Sequence, residues 1–166
     1  LLLGFVAAEE IATLGECERV KRDLNALFEA GRVVCFKRPV AGWAATERAT
    51  ELVSLWPQHG LDASAGAQTW LDAAPLPAPD AALLSIVRSR IEMSGPISAA
   101  QIAELLSTTD SKMTTCLVAL EAQGIVLRGE FKPGAAQQQW CDRRLLARIH
   151  RYTLGRLREE IEPVSS

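Results

Sequence analysis

Histidine is nearly missing from this chain, with only His59 and His150, and the four cysteines stand far apart as Cys17, Cys35, Cys116 and Cys141. Without a CxxC pair or a Cys/His tract, the spacing predicts no zinc site, and buried reduced thiols are expected instead. No glycine-rich phosphate loop, GxSxG elbow or HExxH helix occurs, so phosphoryl transfer, acyl transfer and metalloprotease chemistry have no carrier here. No two carboxylates stand in visibly different environments, as acid–base chemistry would need. Apolar runs fall short of the roughly 20 residues that span a bilayer. The opening 1–6 lacks the length and basic flank of a signal peptide. These absences predict a cytoplasmic protein with no membrane partner. An excess of positive charge is also lacking: the formal net charge is −2, which excludes a globally basic nucleic-acid binder.

What is present is apolar content (48%), which predicts a packed core, and an uneven distribution of charge. Residues 42–80 carry one basic and five acidic groups, whereas 142–166 carry six arginines against four acids. Any polyanion contact is therefore expected to be local.

The chain also repeats itself. Gly4-Phe-Val-Ala-Ala-Glu-Glu-Ile-Ala-Thr-Leu14 matches Gly95-Pro-Ile-Ser-Ala-Ala-Gln-Ile-Ala-Glu-Leu105 at an offset of 91, and Leu24-Asn-Ala-Leu-Phe-Glu-Ala-Gly-Arg-Val-Val34 matches Leu117-Val-Ala-Leu-Glu-Ala-Gln-Gly-Ile-Val-Leu127 at an offset of 93. Two blocks in the same order, separated by a two-residue difference in a turn, indicate two copies of one supersecondary unit.

The second copy reads as a helix over 80–93, a short helix opened by the Ser98/Gln101 capping box, and a third helix capped by Thr109 or Asp110, whose apolar positions Met113, Cys116, Leu117 and Leu120 fall at i, i+3, i+4 and i+7. Gly124 suits a left-handed C-cap, followed by a strand over 125–131, a loop and a returning strand over 139–141. This order is that of a winged helix, a helix-turn-helix variant that often enters a DNA major groove and also serves as a packing module. Its third helix exposes Ser111, Lys112, Thr114 and Thr115, and its wing offers Arg128 and Lys132. In the first copy the third helix falls near 16–30 with mixed charge. Arg32 to Arg38 give a strand and turn, and a strand from Trp43 runs into a helix from about Thr46, stopped by Pro57. The opening helix is expected before Leu1. Trp43 and Trp140 occupy equivalent places and are read as core residues. Residues 57–79 are Pro/Ala-rich and are read as the linker between modules, in which Pro75, Pro77 and Pro79 make a stiff extended segment and Trp70 and Leu71 anchor it on a neighbour.

From Asp142, a plausible N-cap, to Pro163 the sequence predicts one long helix. Leu145, Leu146, Ile149, Leu157 and Ile161 form an apolar stripe, and Arg144, Arg148, Arg151 and Arg158 share another face suited to phosphates along a groove. A solvated face with i,i+4 pairs Arg156–Glu160 and Arg158–Glu162 is the plainer account. His150 is read as a packing residue, and Glu159, Glu160 and Glu162 as a solvated terminus.

With Gly129-Glu-Phe-Lys-Pro-Gly134 and the run from Trp140 to Val164, the chain resembles the large helicase-related (Lhr) proteins of bacteria, in the region beyond their ATPase core. The resemblance is carried by 129–164, extends over the second copy and is faintest over 1–75. It implies superfamily 2 DNA-dependent ATPases that move along single-stranded DNA and are linked to repair, with ATP and Mg in the motor. It also implies a C-terminal series of winged helices and a β-barrel resembling crosslink-unhooking DNA glycosylases, oligomers, and a uracil-DNA glycosylase activity in some members. The motor motifs are absent here and the glycosylase carboxylate maps to no residue of this chain, so no catalytic residue and no cofactor are expected within it.

The expected fold is mainly α with small β-hairpins (α+β): tandem winged-helix modules plus a long C-terminal helix. The divisions are a partial module and following helix over 1–56, a linker over 57–79, a second module over 80–141 and the helix over 142–163. The expected function is that of a non-motor helicase fragment serving DNA handling, with single-stranded or duplex DNA, other modules of the same helicase chain or a second copy as partners. An interaction scaffold that does not touch DNA is the alternative. A free-standing winged-helix regulator fits less well, because it would begin with a complete module.

Overall fold

The computed structural model describes residues 4–13, 17–58, 60–134 and 136–161, and of Cys17, Glu159, Glu160 and Ile161 the backbone alone. Expectations resting on Leu1, Leu14, Glu16, His59, Glu162 or Pro163, on the Cys17 thiol, or on the acidic halves of the two i,i+4 pairs therefore lie outside the described residues.

The protein is mainly helical with two small antiparallel sheets, an α+β arrangement. The first half runs β1 (Phe5–Ala7), α1 (Ala8–Ala12), α2 (Cys17–Glu29), β2 (Val33–Phe36), β3 (Gly42–Ala45), a 3-10 turn (Thr46–Arg48) and α3 (Ala49–Leu55). β4 (Leu61–Asp62) and α4 (Ala65–Ala73) follow. The second half runs α5 (Pro79–Met93), β5 (Ile97–Ser98), α6 (Ala99–Leu105), α7 (Asp110–Ala122), β6 (Val126–Gly129), β7 (Gln139–Asp142) and α8 (Arg143–Ile161). The sheet orders are β1-β3-β2-β4 and β5-β7-β6.

The repeat holds at the level of individual hydrogen bonds. Val6 pairs with Trp43 and Cys35 with Trp43; at offsets of 91 for Val6, 93 for Cys35 and 97 for Trp43, Ile97 pairs with Trp140 and Arg128 with Trp140. Each second long helix ends in the same way. The Gly31 amide donates to Phe28 O at 2.9 Å and Arg32 to Leu27 O at 2.9 Å, while Gly124 donates to Glu121 O at 2.8 Å and Ile125 to Leu120 O at 3.0 Å. Both glycines have positive φ, +70° and +71°, the left-handed C-cap that lets these amides fold back on the last carbonyls. Local capping elsewhere follows the sequence: Ser98 and Gln101 exchange both capping-box bonds, and Thr109 Oγ1 accepts from the Lys112 amide.

Residues 57–79 carry short regular elements that the sequence does not announce. Residues 75–78 form neither helix nor strand; β4 pairs with the edge of β2 and α4 buries Ala67 and Leu71 in the core, while Trp70 is partly exposed. A two-residue strand is defined by its partner rather than by its own pattern, and α4 has one apolar i,i+4 pair facing inward, too little to read as a helix amid Ala, Gly and Pro.

The two halves share one core. Trp56, 4% exposed, packs edge-on against Phe5 and Phe36 at ring distances of 5.2 and 5.7 Å and donates its indole N–H to Leu106 O in the second half at 3.0 Å. α5 lies between the halves. Arg48 donates to Ser85 and Ser89 of α5 and pairs with Glu51, and Arg90 of α5 pairs with Glu10 of α1. On its other side Leu83 and Leu84 line a groove with Cys116 and Ala119 of α7. This double duty explains why Ala82, Leu83, Ile86, Val87, Arg90 and Ile91 are all buried and α5 shows no clean polar face.

In the first sheet Gly42 is so hemmed in by β1 that a Cβ there would meet the Val6 carbonyl oxygen and stand 2.5 Å from a carbon of the Phe5 ring. Gly42→Ala is expected to displace this fully buried ring and to destabilise the chain by about 1–3 kcal/mol, measured by urea unfolding. An unchanged midpoint would mean that β1 shifts freely.

Candidate nucleic-acid interface

The residues singled out as candidate contacts fall in three separate places. Lys112, Thr114 and Thr115 are exposed on α7, where Thr115 donates its hydroxyl to Ser111 O at 2.9 Å. α7 contains Asp110, Lys112 and Glu121 as its only charges, so its net charge is −1, a poor match for a polyanion. Arg128 lies on β6, but its guanidinium is already engaged: it pairs with Glu121 at 3.5 Å and sits 5.6 Å from the centre of the buried Trp140 ring. Lys132 is exposed beyond β6, with its backbone amide bonded to Gln139 Oε1 at 3.0 Å.

The third place is α8. Asp142 closes β7 and caps the helix, accepting from the Leu145 amide at 2.8 Å. Arg143 to Ile161 then hold six arginines and two glutamates, a net charge of +4. At 100° per residue Arg144, Arg148, Arg151 and Arg158 gather on one face, and Leu146, Ile149 and Leu157 on the opposite one. Only the start of the helix packs on the body. Leu145 and Leu146 are half-buried, whereas every side chain from 147 to 158 is exposed, with Ile149 at 41% and Leu157 at 47%. Among the described residues Arg144, Arg148 and Arg151 make no ion pair. The packing role expected for His150 is not found, since its side chain is exposed.

Two further arginines were not evident from the sequence. Arg88 of α5 and Arg143 join Arg144 and Arg148 around one cleft of about 810 Å³. Arg143 lies 100° from the arginine row on a helical wheel, and Arg88 stands 55 positions earlier, so only the packing of α5 against α8 brings them in.

Among the described residues no three of His, Cys, Asp and Glu converge as metal ligands, and no helix is long and apolar enough to cross a membrane. Burial pushes the Cys116 thiol up to about 11, and burial, then the nearby carboxylates Asp62 and Asp142, raise Cys35 and Cys141. At pH 8 Cys116 is therefore expected to resist iodoacetamide until the chain unfolds, as mass spectrometry of alkylated peptides would show. Fast labelling of the folded protein would contradict this.

Over 72 residues, 43% of its length, the chain is 32% identical to a Lhr helicase/probable uracil glycosylase of Mycolicibacterium smegmatis. Part of this chain is thus related to a small part of a protein named as a helicase. It spans only 5% of that protein's length, and no family model matches it. The similarity is to a small part of a large chain, so it supplies a helicase-related context and leaves the role of these residues to be argued from their chemistry.

Proposed function

We propose that this chain is a DNA-handling, non-motor part of a helicase-related protein linked to DNA repair, in which two winged-helix units support α8 and the exposed arginine face of α8 meets DNA phosphates. The winged-helix reading rests on the order of elements from α5 to β7 and on its recurrence from β1 to β3. The single observation that carries the DNA reading is the face of α8 itself. Four exposed arginines lie on one side of a 19-residue helix, spaced over 14 positions, or about 21 Å, which suits successive phosphates of a strand. On this reading the chain contributes contact rather than chemistry. ATP, Mg and any glycosylase carboxylate belong to other residues of the larger protein.

The second reading is an interaction scaffold, with other modules of the same protein or a second copy as partner. The observation favouring it is the opposite face of α8, where Ile149 and Leu157 are exposed, with Tyr152 and Leu154 exposed at its two flanks. Fluorescence anisotropy with labelled single- and double-stranded DNA across a salt series separates the two. Binding that weakens steeply with salt supports the DNA reading. No binding at low salt leaves the scaffold.

A further inference from the structure

We infer that the cleft between the end of α5, the α7–β6 turn and the first turns of α8 is a phosphate-binding site formed by Arg88, Arg143, Arg144 and Arg148. This rests on the DNA reading above and deepens it, placing the strongest phosphate contact in the cleft rather than evenly along α8.

Four arginines from two helices line this one cavity of about 810 Å³. The carboxylates there do not neutralise them. Glu92 is tied to Arg88 at 3.3 Å, and Asp142 accepts from the Leu145 amide, leaving the lining at +2. Arg143, Arg144 and Arg148 make no ion pair among the described residues. Like charges gathered in a concave site repel one another, and an anion relieves that repulsion. The flat guanidinium fork matches phosphate oxygens, and the start of α8 adds its positive dipole end.

The repeat supplies the control for a purely structural role. The register that aligns Ala45 with Asp142 places Thr46, Glu47 and Glu51 where the second unit has Arg143, Arg144 and Arg148. In the first unit Thr46 Oγ1 donates to Gly31 O at 2.7 Å, satisfying the end of α2 with a hydroxyl. Arg143 Nη1 lies at the corresponding place, 3.9 Å from where a Cβ on Gly124 would stand. Glu47 pairs with Arg32 at 3.9 Å and Glu51 with Arg48 at 2.6 Å. The same architecture thus closes with one hydroxyl and two acids. The fold does not call for arginine at these places, and the cluster is particular to the second unit.

The test uses the whole chain with two probes, a labelled 20-nucleotide single strand followed by anisotropy and inorganic pyrophosphate followed by titration calorimetry. Arg88→Gln with Arg143→Gln is compared with Arg151→Gln with Arg158→Gln, and circular dichroism checks that both variants fold. The cleft variant is expected to lose about tenfold in DNA affinity at 0.1 M salt, and to lose pyrophosphate binding, while the outer variant loses less of the first and none of the second. DNA binding unchanged in the cleft variant overturns the inference and leaves the DNA reading standing. Pyrophosphate binding that needs Arg88 and Arg143, with no DNA binding, overturns the DNA reading and leaves the cleft as a site for a free phosphate compound. Silence with both probes overturns both.

Discussion

Replacing Arg144, Arg148, Arg151 and Arg158 together by alanine is expected to lower the slope of log affinity against log salt for single-stranded DNA by about 2.8, or 0.7 for each phosphate that an arginine no longer neutralises. Between 50 and 200 mM salt this corresponds to a roughly 50-fold smaller loss of affinity in the variant than in the parent. The helix should survive the change, because all four side chains are exposed and alanine is the best helix former. Among the described residues the four positions have no ion pair to leave broken. A loss of affinity with an unchanged slope would mean that the arginines shape the site without touching phosphates. Equal affinity and equal slope would move any DNA contact off α8 altogether.

Trp56→Ala is expected to destabilise the chain by about 3–5 kcal/mol and to lower Tm by about 6–20 °C in a calorimetric scan. Three contributions act together. A large buried ring leaves a cavity at the seam between the halves. Its edge-on packing with Phe5 and Phe36 disappears. The Leu106 carbonyl is deprived of the indole N–H that satisfies it. Trp56→Phe separates these contributions, since it keeps most of the apolar ring and removes the hydrogen bond, and it should cost about 1–3 kcal/mol. A shift of less than about 2 °C for the alanine variant would show that the halves are held by α3 and α5 without this residue.

Much of this arrangement was legible in the residues. The offsets of 91 and 93 located the duplicated unit, and the capping residues Ser98, Thr109, Asp142 and Gly124 bounded their helices, because capping is local chemistry that a short stretch specifies by itself. β4 and α4 were not legible, since β4 exists through the edge of β2 and α4 through the pocket that receives Ala67 and Leu71. The exposed fate of the α8 stripe was equally hidden. An amphipathic pattern records that a helix has an apolar face, not whether anything covers it. At the candidate site the arginine row could be read from periodicity, whereas the cleft could not, because Arg88 and Arg143 join it only through tertiary packing. Arg128 was readable as exposed, but not as tied to Glu121 and Trp140.

The helix that serves both halves has a consequence for how such a chain can change over time. Copies made by duplication ordinarily drift as separate pieces, and either can be lost, moved or exchanged. Here Ser85, Ser89 and Arg90 answer to Arg48, Glu51 and Glu10 in the first copy, while Leu83 and Leu84 of the same helix answer to α7 in the second. A change on one side of α5 therefore constrains what the other copy can accept. The pair is expected to be kept as one unit, and positions 10 and 90, or 51 and 85, to vary together wherever this arrangement occurs.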